Sequence, residues 1–371
     1  MIREGLALKS VFVAGGFGYV ATPMNDTPVR KRHFASDNYA GVCPEAWKAL
    51  AEANEGHFPA YGEDEWTQKA SDMIREVFET DCEVYFAFNG TAANSLSLAS
   101  TCRSYHSILC HETAHIETHE CGAPEFFSNG TKVLLIEGEN GKISAESVEK
   151  MVTLRADIHY PKPRAVSLTQ ATEWGTVYTP DELKAIWSVT RKHGLKIQMD
   201  GARFANAVAS LNVAPKEITW QAGVDVLCFG GTKNGTHVGD AVVFFNREMA
   251  EEFDYRCKQA GQLASKMRFM SAPWVGMLEN DVWLRYGAHA NRMATLLHAG
   301  FKKLPGVNIA APVEANMVFA ELPQAVIDAL HERGWRFYKM WGDTGCRFVC
   351  SWDIEEEDVK AFLADARELI G

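Results

Sequence analysis

Lys196-Ile197-Gln198-Met199-Asp200-Gly201-Ala202-Arg203 and Val224-Asp225-Val226-Leu227-Cys228-Phe229-Gly230-Gly231-Thr232-Lys233-Asn234-Gly235 decide the fold of this chain. Each is a short apolar run that reads as a buried strand, and each ends in glycine-rich turn chemistry. An acid closes the first run and a lysine follows the second, so both stand on one rim of a sheet. A carboxylate that keeps a pyridine nitrogen protonated and a lysine that holds an aldehyde as a Schiff base are what a pyridoxal phosphate (PLP) site requires. Taken singly, Asp200 is a turn acid and Lys233 a surface lysine.

Around these two runs the pattern repeats. Val84 to Ala87, Ser107 to Cys110, Lys132 to Ile136, Ala165 to Leu168 and Ala241 to Phe244 are further strand-like runs, and helical patterns alternate with them. Helices are expected at Thr67 to Glu79 and Thr179 to His193, the latter with Pro180 in the first turn. This βαβ rhythm predicts an α/β fold with a mostly parallel seven-stranded sheet in a large domain, residues 34–272. After Pro273 the order changes to a long helix from Trp274 to Leu304, strands at Val307 to Ile309, Asn316 to Glu321 and Arg347 to Cys350, and helices at Pro323 to Arg333 and Glu355 to Ile370. That order predicts a small C-terminal α+β domain, residues 273–371. Residues 1–33 read as a poorly ordered leader, with Met24 as an alternative start.

The 371 residues are 47% apolar and 23% charged, with net charge -11. That is the range of an ordinary globular chain, and the only basic run, Arg30-Lys31-Arg32, is too short for a nucleic-acid footprint. The apolar stretch from Ser10 to Ala21 is interrupted by Gly15, Gly16 and Gly18, so it reads neither as a signal peptide nor as a membrane span. Nine cysteines without CxxC pairs suit reduced packing residues in a cytoplasmic protein. A small-molecule partner is expected.

Three further segments carry chemistry. Asn89-Gly90-Thr91-Ala92-Ala93-Asn94 follows a strand and opens a small-residue helix, where backbone N–H groups and the Thr91 hydroxyl suit a phosphate. His111-Glu112-Thr113-Ala114-His115 matches the HExxH zinc pattern, yet it follows a strand directly, whereas a zinc peptidase needs the motif inside a long helix. The competing reading is an imidazole stacked on a pyridine ring, and no metal is expected. Arg347, in Gly345-Cys346-Arg347-Phe348, suits a substrate carboxylate; the plain alternative is a strand-edge arginine paired with Asp343 or Asp353.

In this order the motifs resemble the threonine aldolase family of fold-type I PLP enzymes, which are beta-eliminating lyase-like, from about Phe34 to the C-terminus. The resemblance implies that Ser36, in Phe34-Ala35-Ser36-Asp37-Asn38, and Tyr61, in Tyr61-Gly62-Glu63-Asp64, lie at the substrate. It implies phosphate binding by Gly90 and Thr91, ring stacking by His115, a second active-site histidine at His159 in Asp157-Ile158-His159, and a cofactor arginine at Arg203. Arg268 would reach a neighbouring subunit's phosphate. His119 stands where many members have tyrosine. Gly231-Thr232-Lys233-Asn234-Gly235 and Thr169-Gln170-Ala171-Thr172-Glu173 also depart from the common pattern, towards the phenylserine aldolase branch. The implied activity is retro-aldol cleavage of β-hydroxy-α-amino acids to glycine and an aldehyde, in a homodimer or homotetramer with interface active sites. His115, His159 or a water between them would be the base. An aminotransferase or β-eliminating lyase would share Asp200 and Lys233; a zinc metallopeptidase and a non-catalytic PLP-fold protein are the alternatives of other classes.

Overall fold

In the computed structural model, residues 33–371 are described; the leader, Met24 and Arg30-Lys31-Arg32 lie outside them. The larger sheet holds β1 (Glu83–Ala87), β2 (His106–His111), β3 (Lys132–Ile136), β4 (Lys162–Thr169), β5 (Lys196–Gly201), β6 (Val226–Phe229) and β7 (Asp240–Phe244). Their spatial order is β1-β7-β6-β5-β4-β2-β3, and only β7 runs against its neighbours. Strands β2, β6 and β7 are buried along their whole length. Such runs do not alternate with polar residues because helices cover both faces of the sheet.

The helices begin and end where local chemistry satisfies their free backbone groups. Pro180–His193 starts in a capping box between Thr179 and Glu182 and stops at Gly194, whose φ of 68° is the left-handed conformation glycine tolerates. Glu65–Phe78 is capped by Asp64, which accepts the Thr67 N–H at 2.8 Å. Gly90–Thr101 is capped by Asn89 and is buried through most of its length by small residues, so its backbone lies close to the sheet.

A second, antiparallel sheet is formed by β8 (Asn308–Ile309), β9 (Met317–Glu321), β10 (Tyr338–Trp341) and β11 (Gly345–Val349), in the order β10-β11-β9-β8. Strand β10 is mostly exposed and was not expected from the sequence. Phe34, far away in sequence, packs into this second core against Trp335 and Phe362. Its carbonyl accepts the Val349 N–H. The adjoining Ser36 and Asp37 are thereby brought to β5.

The single helix expected from Trp274 to Leu304 is two helices, Arg268–Leu278 and Val282–Phe301. Between them Asn280 and Asp281 both take φ of 55°. Asn and Asp are the side chains that adopt this conformation most readily, and the exposed Glu279-Asn280-Asp281 run has no apolar face to hold a straight helix. The helix Pro44–Ala53 was not anticipated; it packs against Arg268–Leu278 where Gly276 meets the Glu45 backbone. A Cβ at Gly276 would run into the Glu45 carbonyl oxygen. Gly276→Ala is therefore expected to lower stability by about 1–3 kcal/mol despite alanine's better helix propensity. Urea unfolding would check this, and an unchanged or raised midpoint would contradict the close packing.

Candidate active site

Strand β5 ends with Asp200 buried at 5% exposure. One carboxylate oxygen accepts the Ala202 N–H and the other accepts Asn94 Nδ2, each at 2.9 Å. Asn94 comes from the small-residue helix after β1. Strand β6 leads through Gly230 and Gly231 into the turn Thr232–Asn234, which carries Lys233. Asp240, at the start of β7, holds that turn by accepting the N–H groups of Gly231 and Thr232. A cavity of about 210 Å³ is lined by Gly90, Thr91, His115, Ala202, Lys233 and Asp240, among others. Phosphate-loop, stacking and lysine positions read from sequence thus share one space.

His115 starts a short helix beyond β2. Its Nδ1 lies 2.8 Å from Glu120 Oε1, and its backbone N–H donates to Glu173 at 2.8 Å. The Glu120 hydrogen bond is the largest influence on His115 and raises its pKa above the usual histidine range, although burial opposes this. Burial in turn pushes the Glu120 carboxyl up, more than His115 and Asn94 pull it down. Burial, aided by the Asp200 charge, pushes Glu173 up to about 7. His119 stacks on His115 with ring centroids 5.5 Å apart, and burial lowers its pKa, with help from His115 and Arg347.

Arg203, just past β5, forms a two-pronged ion pair with Asp37, Nε to Oδ2 at 2.7 Å and Nη2 to Oδ1 at 2.9 Å. Asn316, just before β9, also donates to Asp37. Ser36 caps the turn that carries Asp37 and accepts the Asn38 N–H. Arg347 on β11 is half-buried, and among the described residues its Nε has no hydrogen-bond partner and its one hydrogen bond is a long one, 3.4 Å, to the Ala35 carbonyl. Burial and the Arg203 charge lower its pKa. No ion pair joins it to Asp343, which lies near Lys339 instead. A buried guanidinium with an unfilled prong fits an incoming carboxylate.

Other expected site residues are placed elsewhere in the chain. His159 is exposed and precedes β4, whose far end, Thr169, pairs with Asp200. An eight-residue strand spans about 26 Å, so His159 does not join its own chain's cavity. Tyr61 is exposed, with Lys258 over its ring. Arg268 is occupied by the Ala53 carbonyl and lies against Phe58 and Phe269. The HExxH reading fails on geometry: His111 ends β2 with both ring nitrogens engaged, by Thr113 and the Gly138 carbonyl, and His115 lies on a separate short helix. Cys121 is exposed, unlike the other eight cysteines, so it is not a packing residue. A larger cavity of about 670 Å³ near Glu137, Glu146 and Glu314 contains one lysine, Lys142, already paired with Glu182. It has no comparable chemistry.

Asp37, Asn94, Glu120, Glu173 and Asp240 were not singled out from the sequence. Four of them sit in or beside motifs that were, and for Glu120 an acid five residues after the stacking histidine was the available signal.

A mostly parallel sheet with a buried acid, a turn lysine and a helix start around one cavity defines a fold-type I PLP enzyme. The family model described as beta-eliminating lyase matches residues 33–325, and the chain belongs to that family, within its threonine aldolases. It is 62% identical over 340 residues to the low specificity L-threonine aldolase of Pseudomonas aeruginosa, covering 92% of this chain and 98% of that one. It is 60% identical over 341 residues to the enzyme of the same name from a Pseudomonas species, covering 92% and 99%. The solved threonine aldolase of Leishmania major superposes with a TM-score of 0.87 at 28% identity, covering 92% of this chain and all of that one. The cofactor is therefore PLP. No helix among the described residues is long and apolar enough to cross a membrane.

The Asp37 pair has a pH signature. Burial alone would raise its pKa, but the Arg203 and Lys233 charges and the hydrogen bonds from Arg203 and Asn316 together hold it below the usual range. A depressed folded-state value contributes stability above the unfolded value of about 3.9, and that stability is lost as pH falls through the folded value. Asp37→Asn should cost about 3–5 kcal/mol at neutral pH by leaving Arg203 buried and unpaired, and should lose less stability than the parent on acidification. Parallel stability curves for the two proteins in urea titrations across that range would contradict the pairing.

Proposed function

We propose that this chain cleaves L-threonine and L-allo-threonine to glycine and acetaldehyde, and accepts larger β-hydroxy-α-amino acids such as L-phenylserine. The observation that carries the reading is His115, a basic imidazole held by a buried glutamate and facing the same cavity as Lys233. A generic PLP site needs only Asp200 and Lys233; a base near the β-hydroxyl is what aldol cleavage adds.

When bound, PLP supplies the sink for the electron pair left at Cα. Asp200 would hold the ring-nitrogen end of the cofactor, and Lys233 Nζ would hold its aldehyde end. Gly90 and Thr91, at the start of their helix, would hold its phosphate, and Arg203, fixed by Asp37, would be a further contact to it. Arg347, with Ser36 nearby, binds the substrate carboxylate and so orients the Cα–Cβ bond. His115 takes the β-hydroxyl proton as that bond breaks, the oxygen becomes the aldehyde carbonyl, and a proton delivered to Cα completes glycine. His119 flanks the base.

The assembly is a homodimer or homotetramer in this reading. Its support is an apolar groove of about 420 Å³ between Trp47, Leu50, Ala51, His237 and Phe269, with Trp47 61% exposed, close to Arg268 in sequence and space. The buried free cysteines support a reducing, cytoplasmic setting.

The purified protein should release glycine and acetaldehyde in equal amounts from L-threonine; ammonia with a keto acid would move it to elimination or transamination. Lys233→Ala should lose turnover and the visible absorption of lysine-bound cofactor, and a coloured, active variant would refute the assignment. Arg347→Ala should raise KM for L-threonine by about 10–100-fold, the worth of a lost charge-assisted hydrogen bond. Unchanged kcat and KM would remove Arg347 from the substrate site.

A further inference from the structure

The cavity is backed by a chain of buried polar groups that the reaction as described does not use. Ser167 Oγ donates to Gln198 Oε1, and Gln198 Nε2 donates to Asn94 Oδ1 at 2.9 Å. Asn94 Nδ2 then gives one hydrogen to Asp200 Oδ2 and the other to Glu120 Oε1, both at 2.9 Å. The orientation of Asn94 follows from these partners. Turned over, its amide would set an oxygen against two carboxylates and an N–H against the Gln198 donor.

Glu120 is 3% exposed; among the described residues its Oε1 meets Asn94 Nδ2 and His115 Nδ1, and its Oε2 is sealed without a partner. One nitrogen of His115 and one oxygen each from Glu120 and Asp200 lie within 4.8 Å of one another. A buried carboxylate needs donors, and Oε1 already accepts one from Asn94; the imidazole is the remaining group able to supply another. We propose that Glu120, tethered by Asn94 to Asp200, is a positioning residue that fixes His115 as its Nδ1–H tautomer and leaves Nε2 as the atom that accepts the substrate's proton. This rests on the aldolase reading above. It assigns to Glu120 the orienting role that a carboxylate plays towards a histidine base, and it ties that base to the acid serving the cofactor's ring nitrogen.

The consequence concerns pH. The groups facing His115 are Glu120, Asp200, Lys233 and the stacked His119, with Glu173 on its backbone N–H. Glu120 and Asp200 favour the imidazolium, whereas Lys233 and burial disfavour it. His115 can act as a base only above its own pKa, so removing the Glu120 charge lowers the pH at which the base becomes available.

The test is imidazole ¹⁵N NMR on deuterated holoenzyme, with the His115 signals assigned by their loss in His115→Asn. Expected are the Nδ1–H tautomer in the parent protein and, in Glu120→Gln, a midpoint lower by about one pH unit. The acid limb of kcat/KM should move the same way while KM for L-threonine stays nearly constant. An Nε2–H tautomer in the parent overturns the proposal without any variant, so a Glu120→Gln protein that fails to fold leaves it open to refutation. An unshifted midpoint in a folded variant also overturns it. Absence of glycine release by the parent would sink the aldolase reading instead, and the tautomer would still judge the role of Glu120.

Discussion

The site depends on satisfying the Asp200 carboxylate while it is almost wholly out of water. A buried carboxylate without hydrogen-bond donors is costly. Two N–H donors hold it, one from Ala202 in its own chain reversal and one from Asn94. The second donor exists only because the helix after β1 is made of small residues and lies against β5 and β6. Sheet order then supplies the rest: β5 lies next to β6, so the turn after β6 brings Lys233 to the rim where β5 ends with Asp200.

Charge balance around the cavity extends the same constraint. Asp37, Glu120, Asp200 and Asp240 are all buried there, and Glu173 adds an oxygen sealed from solvent. Arg203 is used by Asp37, and the His115 ring faces Glu120. Arg347 is left with an unfilled prong at the edge of the group, an arrangement that suits a substrate arriving with its own carboxylate. The second sheet contributes Arg347, the bend before β9 contributes Asn316, and the segment at Phe34 crosses from that sheet to the larger one. The candidate site thus draws on two hydrophobic cores.

Legibility in the sequence followed physical range. The seven strands of the larger sheet were readable because each carries a short apolar run, continuous where both faces are covered, and Asp200 and Lys233 stood out because they follow such runs. Strand β10 escaped because its four residues are too few to show a period, and the break at Asn280 escaped because two positive φ values leave no periodic trace. His115 was found through a zinc motif that the structure dismantles, since a strand end separates its two histidines. His159 matched a family pattern, yet β4 carries it to the opposite rim in its own chain. Asn94 acts through contacts with Glu120 and Asp200 far along the chain, which no local pattern encodes, whereas Glu120 stands only five residues after the histidine it meets.

The central claim is that Lys233, opposite Asp200, is the residue that holds the cofactor. Borohydride treatment of the purified holoenzyme followed by peptide mapping tests it directly. A single pyridoxyl label on the peptide containing Gly231-Thr232-Lys233-Asn234 is the predicted result; label on another lysine, or none on a protein that carries the cofactor, would contradict the account.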